Sequence, residues 1–211
     1  MLLLRYTMTF LLIYLAVTSV SGQTPTTIVE EWTAVQPPAP PALKPVTVDP
    51  RTTALLILDI QSTNCNMQRR PRCVASIPRI QALLNRAMAR GMPVVYSLGS
   101  GATVADVLWQ VRPLGGEPVV TSGPDKFFRT DLEQILRDRG VRTVIVVGTA
   151  ANGAVIFTSS GAALRGLQVI LPVDGMSADN TYIEQYTAWH LANAGTVGAR
   201  TTLTRTDLVS F

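Results

Sequence analysis

Three places in this 211-residue chain bear on chemistry. Asp59 closes the apolar run "TTALLILDI", residues 52–60, and a carboxylate delivered to the end of a strand can serve as a general acid or base. Lys126 is one of two lysines, with Lys44, in a chain whose other basic residues are arginine, so a lysine inside the domain calls for a reason. The third place is "VVGTAANGAVIFTSS", residues 146–160, where β-branched residues pass through Gly148 and Gly153 into a helical pattern. Such a corner often presents a nucleophile, yet Ala154 stands where the helix begins, and a methyl group cannot attack a carbonyl. Covalent acyl transfer at that position is excluded. Docking is still open to this corner: the first N–H groups of a helix lack partners within it and can receive an anion or carbonyl oxygen, which makes Thr149, Ala150, Asn152 and Gly153 candidate ligand contacts. The competing reading is that Gly153 and Ala154 are merely small enough for a helix to pack closely on a strand.

The remaining reactive types narrow the field. His190 is the sole histidine and no Cys/His/Asp cluster has ligand spacing, so neither a metal site nor a cofactor is expected. His190 itself reads as a buried, hydrogen-bonded structural residue before an acid or base. Tyr182, Tyr186 and Trp189 follow helical spacing and read as a core or subunit-contact stripe before a substrate box. Eighteen basic and fourteen acidic residues give a net charge of +4, but the arginines are scattered and form no dense basic stripe with interleaved aromatics, so no nucleic-acid partner is expected.

Arg5, the apolar stretch from Met8 to Val17 and the small residues of "TSVSG" have the layout of a secretory signal peptide over 1–22, with Met8 an equally good initiator. The apolar core is only about ten residues where a membrane span needs roughly 20, so no stable span is expected after cleavage. The chain is then secreted or periplasmic. In that oxidising setting Cys65 and Cys73 read as one local disulfide. "QPPAPPALKP" marks residues 23–45 as a proline-rich linker, or an arm lying on a surface. Residues 46–211 make one domain.

Elements must position the three places. A buried strand at 52–60 is followed by a helix in "SIPRIQALLNRAMARG" and a strand from Met92 to Leu98. "ATVADVLWQV" reads as a short helix and "GGEPVVTSG" as a short strand. A helix from about Thr130 to Arg139 follows, then a strand at 141–148, a helix from about Gly153 to Arg165, a strand at 167–173, a helix from about Ser177 to Ala194 with Ser177 as its cap, and a strand near 200–204. This alternation predicts an α/β fold of three α/β/α layers, Rossmann-like, with a mainly parallel sheet of about six strands. Ligands in such sheets bind outside the carboxyl ends of the strands, which points to Asp59, Ser97–Ser100 and Gly148–Ala154.

In the order and spacing of "TALLILDIQ", "ALLNRAMARGMPVVYS", "FFRTDLEQILRDRGVRTVIVVGTA" and "GAALRGLQVILPVDG", the chain resembles the isochorismatase-like, or cysteine hydrolase, superfamily. The resemblance implies a small-molecule substrate, a homo-oligomer whose subunits share residues around the site, and a site of Asp, Lys and Cys. Asp59 takes the first position. Ala154 falls where the cysteine belongs, and Ala151 where threonine is frequent. Lys126 comes four or five residues later than the usual lysine, near Thr121 or Ser122, so it either reaches the pocket by a changed loop path or is a surface charge. "SLGSGATVADV" has no histidine, which disfavours the metal-binding nicotinamidase branch. The resemblance further implies that a member without cysteine can cleave a vinyl ether by protonation from Asp59, against the plainer reading that Asp59 only caps a loop. A noncatalytic binding protein with the same fold is the alternative.

Overall fold

The computed structural model describes residues 26–211, so the leader expected over 1–22 lies outside the described residues. The chain divides into two compact units after Pro38. In the first, Thr27 caps the short helix α1 (Ile28–Glu31), its backbone N–H donating to Glu30 Oε2 at 2.7 Å.

In the second unit the elements run β1 (Val46–Thr47), β2 (Thr53–Leu58), α2 (Pro71–Ala89), β3 (Val94–Leu98), β4 (Val119–Thr121), α3 (Leu132–Asp138), β5 (Thr143–Thr149), α4 (Ile156–Leu164), β6 (Gln168–Pro172), β7 (Met176–Ser177), α5 (Thr181–Asn193), α6 (Gly195–Gly198), β8 (Thr201–Thr204) and β9 (Val209–Ser210). The main sheet has seven strands in the order β4-β3-β2-β5-β6-β8, with β7 pairing to β5, and every pairing is parallel. β1 and β9 form a separate parallel pair.

Alternation along the strands sets the layers. Leu55, Ile57, Tyr96, Ile145 and Val147 pack against α2 residues Ile77, Ile80, Leu83 and Leu84. Their neighbours Leu56, Leu58, Val144 and Val146 face the opposite side, with Leu132 and Leu136 of α3, Ala162 of α4 and Leu191 of α5. Strands buried on both faces explain the unbroken apolar runs, and each fully buried Leu or Ile contributes about 1.5–3 kcal/mol. Residues 39–45 lie on this unit: Lys44 N–H donates to the Leu203 carbonyl at 3.0 Å, and Leu43 packs against the core.

Three expectations need correction. α2 begins at Pro71, ahead of Ser76, because proline at the first helical position has no amide to satisfy and a fixed φ. "ATVADVLWQV" forms two separate 3-10 turns, Val104–Asp106 and Trp109–Val111, since Val107 between them is extended and bridges antiparallel to Gln61. The cap of α5 is Asn180, whose side chain accepts from Ile183 N–H at 3.1 Å. Ser177 is instead held in β7, opposite Thr149.

β2 and β5 are neighbours, and the chain runs outward from β2 to β4 on one side and from β5 to β8 on the other. Their carboxyl ends therefore flank the point where strand order reverses, the place where parallel α/β sheets open a crevice.

Candidate functional site

Leu58, the last residue of β2, lies opposite Gly148 of β5. The approach is so close that a Cβ on Gly148 would sit 2.1 Å from the Leu58 carbonyl oxygen, and Gly148 has φ +128°. Only glycine fits there. Asp59 then turns with φ 51°, a left-handed conformation that Asp tolerates better than most residues.

The turn aims the Asp59 carboxylate at two partners. Ser97, at the end of neighbouring β3, donates from Oγ to Asp59 Oδ1 at 2.8 Å. Lys126 Nζ lies 2.8 Å from Oδ2, with 1 % of the lysine side chain and 12 % of the aspartate side chain exposed. Lys126 is thus a buried partner of Asp59 and not a surface charge. A folded-back loop brings it there: the single hydroxyl hydrogen of Ser122 Oγ lies between the carbonyls of Phe128 at 2.8 Å and Asp125 at 3.1 Å, while Lys126 N–H donates to Thr158 Oγ1 of α4 at 3.2 Å. The ammonium also donates to the carbonyls of Ser122 at 3.1 Å and Leu98 at 3.4 Å. No backbone N–H bond to the Asp59 carboxylate accompanies these contacts among the described residues, so the loop-capping reading does not describe it.

After β5 the chain passes a cis peptide, Thr149–Ala150, and a wide π turn, Ala151–Val155. Ala154 is buried, at 3 % exposure. Gly153 N–H and Val155 N–H both donate to the Ala150 carbonyl, at 3.0 and 3.1 Å. This corrects the expectation of free donors at Gly153: a π turn lets one carbonyl receive both. The packing alternative fails for Gly153 too, because an added Cβ would meet Ala150 Cβ at an ordinary 3.7 Å. Thr149 is buried and its hydroxyl donates to the Ser177 carbonyl at 3.1 Å; Ala150 is half-buried and Asn152 exposed.

Arg70 has no place in the sequence reading. It is 7 % exposed, and its Nη1 donates to Thr149 Oγ1 at 2.9 Å while Nε donates to Asp179 at 2.8 Å. The signal available was its position between Cys65 and Cys73, which are joined as a disulfide. Gln61 was also missed: it is buried, and its Oε1 accepts from Gly99 N–H at 2.7 Å.

Other candidates lie apart from this group. Tyr182, Tyr186 and Trp189 are 73 %, 45 % and 42 % exposed, so the stripe on α5 is not core. His190 is half-buried, its ring 5.8 Å from that of Tyr186, and is not the buried, hydrogen-bonded residue expected. In β3 the Tyr96 phenol, buried with no hydrogen-bond partner, is pushed well above the usual range, first by burial and then by the Glu117 charge. Among the described residues no three His, Cys, Asp or Glu side chains gather as for a metal ion, and no helix is long and apolar enough to cross a membrane.

The family model described as the isochorismatase domain matches residues 53–204, from β2 through β8. The chain belongs to the isochorismatase family. The secreted isochorismatase effector Isc1 of Verticillium dahliae (strain VdLs.17) is 28 % identical over 144 residues, covering 63 % of this chain and 76 % of that protein. Among solved structures, a cysteine hydrolase from Pseudomonas syringae pv. phaseolicola 1448A matches with a TM-score of 0.68 at 21 % identity, over 79 % of this chain and 94 % of the other. N-carbamoylsarcosine amidase from Thermoplasma acidophilum matches with a TM-score of 0.63 at 22 % identity, over 74 % and 97 %. At such identities the structural likeness speaks for the shared isochorismatase-type fold alone.

Proposed function

We propose that this isochorismatase-family protein works, as a secreted protein, without a cysteine nucleophile: Asp59 donates a proton to a small polar substrate, and no covalent intermediate forms. The observation that carries the reading is the Asp59–Lys126 contact of 2.8 Å beside a turn whose Ala154 offers only a methyl group. For a vinyl ether the steps balance as follows. Asp59 acts in its protonated form and regains the charged pair with Lys126 once the proton leaves: that proton is added to the alkene carbon, water adds to the resulting oxocarbenium carbon, and the hemiketal collapses to a ketone and an alcohol while the water's surplus proton returns to Asp59. The carboxylate left after proton donation would be held by Lys126 Nζ and Ser97 Oγ, both at 2.8 Å, charge stabilisation already in place before the reaction. Of the turn residues, the half-buried Ala150 and the exposed Asn152 are proposed to contact the substrate. The Cys65–Cys73 disulfide and a relative that is a secreted effector support export, and the exposed α5 stripe supports a homo-oligomer.

The test compares the natural chain with Asp59→Ala and Ala154→Cys on amide, ester and vinyl-ether substrates. The expected outcome is vinyl-ether cleavage that Asp59→Ala abolishes, with no acyl adduct in the mass spectrum of the natural protein during turnover. An adduct on any residue, or turnover that survives Asp59→Ala, overturns the mechanism. The second reading, a binding protein without catalysis, is favoured by the 3 % exposure of Ala154. Thermal stabilisation by small acids or amides with no turnover of any substrate class would establish that reading instead.

A further inference from the structure

We propose that Arg70 is a positioning residue: it fixes the turn after β5 through Thr149, and the closed Cys65–Cys73 loop is what holds its guanidinium in place. The functional part rests on the turn belonging to the proposed site; the structural part does not.

The loop that leaves Asp59 does not simply cross the top of the sheet. Gln61 accepts from the N–H groups of Asn64 and Cys65 at 2.9 and 2.7 Å, Arg70 N–H donates to Asn66 at 2.9 Å, and Cys73 N–H donates to Arg70 at 3.0 Å, all through backbone carbonyls. The disulfide links the two ends of this stretch, with both cysteines buried. Arg70 sits inside the closed loop as the residue before α2, and the loop carries its guanidinium from the β2 side over to the end of β5. There it donates to the Thr149 hydroxyl, which in turn donates to the Ser177 carbonyl. Its Nε reaches Asp179, so one buried guanidinium ties the exit of β5 to the loop between β7 and α5.

A rigid fork of donors on a planar cation suits this double contact, and a lysine ammonium cannot reproduce its geometry. A buried arginine with a charged partner and a hydroxyl acceptor also makes stronger hydrogen bonds than a neutral donor would. Because the loop leaves from Asp59 and its disulfide-closed part reaches Thr149, the last residue of β5 before the π turn, that part sets the spacing between the two halves of the proposed site.

The test is hydrogen exchange on the full chain, read at the amides of residues 149–155 and, as a control, at Val144–Val147 inside β5. Arg70→Met with the disulfide intact, and separately Cys65→Ala with Cys73→Ala, are expected to speed exchange in the turn by about tenfold while the strand control stays unchanged. Arg70→Lys is expected to restore little of the protection. Thr149→Val combined with Arg70→Met should speed exchange by less than the product of the two single effects, since both remove the Arg70–Thr149 bond while Thr149→Val alone also removes the bond to Ser177; independent effects overturn the proposal. An unchanged turn overturns the proposal, as does a rise shared by the β5 interior up to loss of the fold, which would make Arg70 a stability residue. Exchange needs no substrate, so these outcomes stand even if the chain proves inactive. Where turnover is found, Arg70→Met should lower kcat and leave KM nearly unaltered; a change in KM alone overturns the positioning role.

Discussion

The pairing of Asp59 with Lys126 shapes what single substitutions can reveal. Both side chains are nearly sealed from water, so removing one charge leaves the other buried without its counterion. Asp59→Asn, which keeps a side chain tolerant of the left-handed turn, is expected to cost about 3–5 kcal/mol in urea unfolding. Asp59→Asn with Lys126→Met should recover a large part of that loss. If the two losses instead add, the pair is not energetically coupled. Loss of activity in either single variant must therefore be read beside its stability. Gly148 makes a separate demand, set by backbone alone. Gly148→Ala is expected to destabilise by more than about 3 kcal/mol, since the new methyl would overlap the Leu58 carbonyl and the φ of +128° disfavours any L side chain. A thermal midpoint equal to that of the natural chain would refute this.

Among the elements, the turn Val104–Asp106 has a predictable response to acid. Thr103 donates to Asp106 Oδ2 from its backbone N–H at 2.8 Å and from its hydroxyl at 2.9 Å, and these bonds hold the carboxyl below its ordinary value of 3.8, the backbone bond most strongly. A carboxyl whose folded value is depressed adds stability above its unfolded value, and that contribution is lost as pH falls through the folded one. The Asp106 carbonyl accepts from Ser62 N–H at 2.8 Å, three residues beyond Asp59. Protection of the Ser62 amide, its exchange rate divided into that of an unstructured chain at the same pH, should thus fall as pH drops below about 3.8, and Asp106→Asn should remove that acid dependence. A Ser62 amide indifferent to acid in the natural chain would show that the turn does not lean on this carboxylate.

Across the whole molecule, legibility follows the range of the interactions. Apolar runs in β2 and β5 and the helical spacing of Ile77, Ile80, Leu83 and Leu84 record local burial, so the layered parallel sheet and the edge that carries the candidate site can be read directly from them. Asp59 is legible for the same reason, standing at the end of such a run. The placement of Lys126 is not, because it depends on Thr158, 32 residues away, and on a turn closed by Ser122. Arg70 is hidden still more deeply: its partners Thr149 and Asp179 lie 79 and 109 residues further on, and no local pattern encodes such a contact. The cap of α5 is ambiguous at a shorter range, where Ser177 and Asn180 are both suitable caps and only the pairing of β7 with β5 removes the first.

The small β1–β9 pair has a consequence for how the domain can be rewired. Val46 lies opposite Val209 and Thr47 opposite Ser210, so the start of the domain and its last strand are neighbours, about 5 Å apart across the ladder. Because the two strands are parallel, a crossover linker of about a dozen glycine and serine residues joins Phe211 back to Val46, and new ends can then be opened at the exposed Gly115–Gly116 turn. Such a circular permutant keeps the order of strands in space while it reverses which half of the sheet leaves the ribosome first.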